Sequence, residues 1–141
     1  MWRVLMIAMP LALAGCQQLP LTPEDIQARK FEATPDKAVI YLVRDSPDFS
    51  SIQSQISVGD KLLLKTYPGT YYRWEVPPGM HRISGYGSDI GAISVQAERA
   101  RIYFVQQRVS GIYMANSMFA VVGEPEGRAA VLRAVLIAPG Q

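Results

Sequence analysis

Two residue types that often carry chemistry occur only once in the chain, a cysteine at Cys16 and a histidine at His81. Thiolate and imidazole metal sites take three or four ligands, and a single thiol cannot close a disulfide within its own chain. These two residues therefore cannot build such a metal site. We expect neither a metal nor another cofactor.

A catalytic His81 would need a hydroxyl nucleophile and an orienting carboxylate. The candidate carboxylates are Glu75, Asp89 and Glu98. No motif supports that triad, and His81 follows the turn glycine Gly79 by two residues, where a bond to a neighbouring backbone group is typical. Paired carboxylates for glycoside chemistry are expected by chance among twelve acidic residues. We therefore expect a protein that is not an enzyme.

The residues before Cys16 have the pattern of an export signal. A positive charge at Arg3 precedes an apolar run over residues 4–14, and Gly15 and Cys16 follow. The run is too short for a transmembrane helix, which needs about 20 apolar residues. The pattern predicts a signal peptide over residues 1–15, cleaved between Gly15 and Cys16. The alternative is cleavage elsewhere, with Cys16 an unmodified thiol.

The motif Leu13-Ala14-Gly15-Cys16 resembles the lipobox of bacterial lipoproteins, in which the cysteine receives a diacylglyceryl group before the signal is removed. This alkylation needs a nucleophilic thiol, and small side chains before it let the peptidase approach the backbone. The resemblance implies a membrane anchor made of lipid, because each buried methylene contributes about 0.8 kcal/mol. Gln17 after the cysteine implies the outer membrane, at its periplasmic face, with inner-membrane retention or surface exposure as alternatives.

The composition predicts one domain with a core of its own. The chain has 141 residues, of which 49% are hydrophobic and 18% are charged. Fourteen Lys and Arg against twelve Asp and Glu give a net charge of +2, with no run of like charges. Nucleic-acid binding is excluded, because it relies on a basic patch that meets the phosphates.

Residues 17–37 lie between the predicted anchor and the domain, and three prolines interrupt them. Thr22, followed by Pro23 and two acids, is a pattern for the start of a short helix. We expect the segment to act mainly as a solvated spacer. The domain itself is expected over residues 38–141.

After the spacer the pattern is that of strands separated by turns. Residues 38–44 are apolar on both faces, which is typical of a central strand covered on two sides. Residues 52–58 and 61–65 predict a hairpin, although Ser54 is polar at an apolar position of the alternation. About seven short strands without crossover helices predict an all-β fold, an antiparallel β-sandwich, with a barrel as the alternative. The further predicted strands cover residues 71–76, 80–86, 90–97, 101–109 and 118–122.

Alternation along residues 71–76 predicts which side chains enter the core. Tyr72, Trp74 and Val76 share the face expected to be inside, which places Tyr71 and Arg73 in solvent. The Pro-Pro-Gly turn that follows predicts a hairpin with residues 80–86.

The C-terminal segment predicts a short amphipathic helix over residues 128–137, which Pro139 and Gly140 end. We expect its apolar stripe to pack on the chain's own domain, as the stripe of a surface helix usually does. The residues of the stripe are Ala129, Leu132, Val135 and Leu136.

Three motifs in the middle of the chain describe turns: Val58-Gly-Asp-Lys61, Gly69-Thr-Tyr-Tyr72 and Glu75-Val-Pro-Pro-Gly-Met-His-Arg-Ile83. They resemble a family of small bacterial lipoproteins that carries a domain of unknown function. They also resemble PEGA-type β-sandwich modules. The resemblance implies an all-β domain on a lipid tether, and it carries over no catalytic residue.

The aromatic residues are the first candidates for a binding surface. Tyr71, Arg73 and Tyr86 are predicted on outward faces of adjacent strands, and Tyr103 joins them if the register allows it. Tyrosine and arginine are enriched in protein interfaces and on surfaces that stack carbohydrates. Outward tyrosines also serve ordinary cross-strand packing, which is the alternative here.

A second candidate surface is a small-residue loop that contains Ile112, Tyr113 and Met114. The loop could present an adaptable apolar contact or fold over the edge of the core. An exposed apolar patch there would favour a subunit of a larger envelope assembly.

Together these patterns predict a lipid-anchored periplasmic lipoprotein that acts as a non-catalytic binding or scaffolding module. Its expected partners are the membrane, through the anchor, and an envelope protein or glycan, with no nucleic acid. The alternative is a cell-envelope hydrolase or an inhibitor of an envelope-degrading enzyme. A pocket that joins His81 to a carboxylate and a hydroxyl would favour the hydrolase, and a flat sheet face would favour binding.

Overall fold

The computed structural model describes residues 19–140, so the predicted signal peptide and Cys16 lie outside the described residues. Within them the chain forms a two-sheet sandwich, which confirms the predicted all-β fold. No helix of this part of the chain is long and apolar enough to span a membrane. The elements in chain order are α1 (Pro23–Ala28), β1 (Ala38–Arg44), β2 (Ser54–Val58), β3 (Leu62–Thr66), β4 (Thr70–Val76), β5 (Gly79–Gly85), β6 (Ala92–Ala97), β7 (Ile102–Ser110), β8 (Asn116–Val122), α2 (Glu124–Leu132) and β9 (Val135–Leu136).

The two sheets differ in how their strands pair. The five-stranded sheet has the order β8-β7-β1-β4-β9, and the four-stranded sheet has the order β3-β2-β5-β6. The smaller sheet is antiparallel throughout. In the larger sheet β1 pairs with β7 and β4 with β9 in parallel, so that this sheet is mixed and not antiparallel as predicted.

The central strand β1 supplies two cores. Ile40 and Leu42 enter the core between the sheets, where they meet residues of both. Val39, Tyr41 and Val43 point to the other face, which α1 and α2 cover. All seven residues of β1 are buried, as the sequence predicts for a strand covered on two sides.

The predicted hairpin of residues 71–76 with residues 80–86 is wrong. β4 pairs with β1 and β9, whereas β5 pairs with β2 and β6 in the other sheet. Pro77 and Pro78 therefore connect the two sheets. Proline and glycine set the local backbone angles of a turn, but they do not determine which strand the next one joins. The predicted hairpin around Gly59 is confirmed by the pairing of β2 with β3.

Tyr71 lies inside the protein, which corrects the prediction that it faces solvent. Its exposed fraction is 1%, and it packs in the core beneath the helices. Tyr72 and Trp74 are partly buried against the core between the sheets. The alternation thus separates the two sets correctly, but helices cover the face that was expected to be in solvent.

The segment predicted as a spacer contributes to the domain. Thr22 caps α1 as predicted, since the Asp25 N–H donates to its Oγ1 over 3.2 Å. Asp25 and Ala28 are buried, and Phe31 packs against the core beneath the helices. The prediction of a solvated spacer is therefore wrong for residues 23–31.

The C-terminal segment also differs from the prediction. α2 covers Glu124–Leu132, and the residues after it return to the sheet as β9. The helix buries Ala130 and Val131, whereas Leu132 and Val135 of the predicted stripe are about half exposed, at 53% and 52%. The apolar spacing typical of a helix continues past Leu132, but residues 135–136 pair with the edge of β4 and therefore belong to the sheet.

Candidate functional site

Four loops meet at one end of the sandwich, and we call them the loop end. They cover residues 45–53, 67–69, 86–91 and 111–115. Arg44, the last residue of β1 in the larger sheet, joins the two sheets here. Its Nη1 donates to the carbonyl oxygens of Ile52 and Thr66, which flank the β2–β3 hairpin of the smaller sheet. The loop end contains the second candidate surface of the sequence.

The loop end exposes large apolar side chains. The exposed fractions are 80% for Ile112, 96% for Tyr113 and 64% for Met114. A cleft of about 260 Å³ lies in the loop end, and Tyr86, Tyr113 and Met114 are among its lining residues. The structure therefore brings Tyr86 together with the loop of residues 111–115. Other exposed large side chains in these loops are Phe49, Tyr67 and Ile90.

The remaining predicted surface residues lie elsewhere. Tyr71 is buried under the helices, and Arg73 lies on the outer face of the larger sheet, where Nη1 is 2.9 Å from Glu75 Oε1. Tyr103 packs against the core between the sheets, and its hydroxyl accepts from the backbone N–H of Glu98. The predicted patch of Tyr71, Arg73, Tyr86 and Tyr103 is wrong, because β4 and β5 belong to different sheets.

A buried polar network supports the loop end from below. Asp89 Oδ2 accepts from the hydroxyls of Ser54 and Ser117 over 2.5 and 2.7 Å, and Oδ1 accepts from the Ser117 N–H over 2.8 Å. Gln107 Nε2 donates to both serine hydroxyls, over 2.9 and 2.8 Å. Thr66 completes the network by donating to Gln107 Oε1 over 2.8 Å. Because these buried groups satisfy one another, the network holds loop 86–91 to both sheets.

Ser54 is the one sequence signal of this network. It is fully buried at an apolar position of the alternation in β2. A polar side chain at such a position needs partners, because an unpaired buried hydroxyl is costly. Asp89, Gln107 and Ser117 come from distant parts of the chain, so no local pattern could have identified them.

A buried ion pair holds loop 45–53. Arg44 has an exposed fraction of 1%, and its Nε is 2.7 Å from Asp48 Oδ2. The same carboxylate accepts from the Val109 N–H over 3.0 Å. A buried charge is tolerated only when it is paired and bonded, and here the guanidinium is both. Its carbonyl acceptors are Ser50, Ile52 and Thr66, at 2.6, 2.8 and 3.0 Å.

An exposed contact links the loop end to the residue after α2. Arg133 Nη2 is 2.5 Å from Asp45 Oδ2. This hydrogen bond lowers the pKa of Asp45, against the opposing effect of burial. The loop end is thus supported by groups from both sheets and from the C-terminal segment.

His81 lies near the start of β5, away from the loop end. Its Nε2 donates to the Pro77 carbonyl over 2.6 Å, which confirms the predicted backbone partner. Its ring meets Trp74 edge to face, with centroids 5.4 Å apart. Within residues 19–140 no carboxylate or hydroxyl bonds to His81, and no group of three His, Cys, Asp or Glu is placed to hold a metal.

No family model matches the chain, and a search of curated proteins finds no match.

Proposed function

We propose that the protein is a lipid-anchored periplasmic lipoprotein that binds another protein of the cell envelope through its loop end, without catalysing a reaction. The observation that carries the binding surface is the exposure of Ile112, Tyr113 and Met114 beside loops that are held by a bonded framework. The anchor and its location rest on the lipobox motif that ends in Cys16.

The chemistry of the loop end favours a protein surface as partner. Aromatic side chains and methionine are enriched at the centres of protein interfaces, where binding buries them away from solvent. A glycan would need free polar groups beside the stacking rings. At the loop end Asp48 and Asp89 are bonded within the domain, whereas Gln53, Gln55 and Ser88 line the cleft. The large exposed side chains of Ile112, Tyr113 and Met114 are what favour a protein partner.

The framework also limits the cost of binding. Asp89 and Arg44 hold two of the loops by several hydrogen bonds each. A loop that is already ordered loses less conformational entropy when a partner covers it. The loop end therefore has the properties of a preformed contact surface.

The proposed anchor keeps this surface near the membrane. Five residues lie between Cys16 and Thr22, the cap of α1. A chain of that length spans at most about 20 Å when fully extended. The partner is therefore expected among proteins that reach the membrane face to which the lipid is attached.

Site-specific photo-crosslinking in intact cells tests the proposal. A photoreactive phenylalanine replaces Tyr113 in one strain and Leu63 in the other. Leu63 is the matched control, since it is 47% exposed but lies on β3 away from the loop end. We expect one discrete protein adduct at position 113, lost when Ile112 and Met114 are both changed to Ser. Identical adducts at both positions, or none at position 113, would contradict the proposal.

A further inference from the structure

One edge of β4 is only partly covered. β9 pairs with β4 at Thr70 and Tyr71 alone, and the Ile137 N–H donates to the Tyr71 carbonyl over 2.9 Å. The alternation of a strand turns the N–H and C=O of Arg73 and Glu75 toward this same edge. Within residues 19–140 no backbone hydrogen bond reaches these groups there.

The pairing stops after the Ile137 N–H, and Pro139 prevents it from resuming further along β4. Every second residue of the C-terminal segment donates to β4. The Val135 N–H donates to the Gly69 carbonyl, and the Ile137 N–H donates to the Tyr71 carbonyl. The next donor in this parallel ladder would be the nitrogen of residue 139. Proline carries no N–H, so the C-terminal segment cannot extend the ladder along β4. The edge beyond Tyr71 is left as a template for another strand.

A groove of about 670 Å³ runs beside this edge. Its walls come from α1, from residues 32–34 and from residues 136–139. The charged residues of its lining are Glu24, Glu32, Arg73 and Glu75.

The groove has an excess of negative charge. Arg73 pairs with Glu75, and Thr34 Oγ1 also donates to the Glu75 carboxylate over 2.9 Å. These hydrogen bonds, from Arg73 first and then from Thr34, lower the pKa of Glu75 and keep it ionised. Glu24 and Glu32 have no basic counterpart in the lining, and the Glu32 carboxylate accepts a hydrogen bond from Gln27 Nε2 over 3.0 Å.

We infer that the open edge of β4 binds an extended segment of a partner protein that carries basic side chains, which adds to the larger sheet as a further strand. The main chain of the segment would exchange hydrogen bonds with Arg73 and Glu75, as in other cases of strand addition. Its side chains alternate, and those on the groove side recur about every 6.6 Å. Glu24 and Glu32, which line the same groove, are the expected partners of lysine or arginine at these positions. This surface differs from the loop end and does not require the lipid anchor.

The experiment uses the full purified chain and a capped heptapeptide of alternating lysine and valine as the probe. A heptapeptide with glutamate in place of lysine is the matched peptide control. Hydrogen exchange of the Arg73 and Glu75 amides is followed by NMR with and without each peptide. We expect the lysine peptide to slow both amides by about tenfold or more, and the glutamate peptide to leave them unchanged.

Two variants separate the hydrogen bonds from the charge. Glu75→Gln removes a negative charge and keeps the N–H, whereas Glu75→Pro removes both on an edge that tolerates proline. We expect Glu75→Pro to weaken binding of the lysine peptide at least about threefold more than Glu75→Gln. Circular dichroism of both variants first establishes that the fold is intact. If a variant does not fold, the exchange experiment still tests the inference, because it uses the unaltered chain.

A third variant allows the chain's own C-terminal segment to cover the open edge of β4. Pro139→Ala supplies the missing N–H, so we expect the C-terminal segment to extend along β4 and to weaken binding of the lysine peptide. The inference is overturned if the lysine peptide binds without slowing the two amides, or if both peptides bind equally. It is also overturned if the lysine peptide does not bind at millimolar concentration in low salt.

Discussion

The hydroxyl of Tyr71 donates to Asp25 Oδ1 over 2.6 Å and thereby joins β4 to α1. The same carboxylate accepts from Arg29 Nε over 2.6 Å and from the Leu136 N–H over 3.0 Å. One buried carboxylate thus connects α1, β4 and β9. These contacts make the segment before β1 part of the domain, although its sequence has the composition of a spacer.

Removal of the Tyr71 hydroxyl is expected to lower stability. Tyr71→Phe keeps the ring in the core but takes one donor from a buried carboxylate. Hydrogen bonds to charged groups contribute about 1.5–3 kcal/mol, so we expect a loss of that size in the free energy of unfolding by urea. The control is Tyr67→Phe, whose hydroxyl bonds to Gln53 at the surface. Equal effects of the two changes would contradict the role of the buried bond.

Acid is expected to weaken the contribution of Asp25. Burial works to raise the pKa of Asp25, but hydrogen bonds from Arg29, Tyr71 and the Leu136 amide hold it below its ordinary value. Because the pKa of the folded state is lower than that of the unfolded chain, the carboxylate stabilises the fold above about pH 4. This contribution is lost as the pH falls through the folded pKa.

Asp25→Asn tests the pH dependence. The variant should be less stable than the parent at neutral pH, and the difference should shrink as the pH is lowered below about 4. Urea unfolding over a series of pH values measures the difference. The control is Asp36→Asn at an exposed site. A gap between Asp25→Asn and the parent that widens in acid would refute the assigned sign.

Gly127 in α2 is expected to resist replacement by alanine. Alanine favours a helix over glycine by about 1 kcal/mol, so local propensity predicts a gain. A Cβ at Gly127 would lie 2.2 Å from Phe104 Cγ, however, and overpacking of this kind costs about 1–3 kcal/mol or more. We therefore expect a net loss of stability in Gly127→Ala, measured by thermal unfolding. Glu126→Ala at an exposed position of the same helix should change stability by less than about 0.5 kcal/mol.

Asp89→Asn is expected to disrupt the network beneath the loop end. Two serine hydroxyls and one backbone N–H donate to this carboxylate. An amide supplies only one accepting oxygen, so we expect a loss of about 2–4 kcal/mol in the free energy of unfolding. Asp60→Asn is the control, because Asp60 is exposed in the β2–β3 turn. A loss no larger than that of the control would show that the network adds little.

The lipid anchor has its own test. Cys16→Ser removes the thiol that the predicted modification needs, so we expect an unprocessed or unanchored chain that no longer incorporates labelled palmitate. Membrane fractionation and palmitate labelling of the parent and the variant measure this. Unchanged labelling of Cys16→Ser would show that the lipobox interpretation is wrong.

The local features of the fold could be predicted from the sequence. β1 is apolar on both faces and is buried on both, and Thr22 caps the helix that its position predicts. Alternation along β4 separated Tyr71 from Tyr72 correctly. Such patterns depend on backbone geometry over a few residues, and this local geometry does not depend on the tertiary surroundings.

Tertiary contacts decided the rest. Tyr71 is inside because α1 and α2 cover the outer face of the larger sheet, and Tyr86 approaches Tyr113 because β5 and β7 end on the same side of the sandwich. Periodicity determines which side chains share a face, but only contacts between residues far apart in the chain decide what covers that face and which strands are neighbours. Ser54 illustrates both sides of this difference. A polar residue at its position is anomalous in the sequence, but its partners can be identified only from the fold.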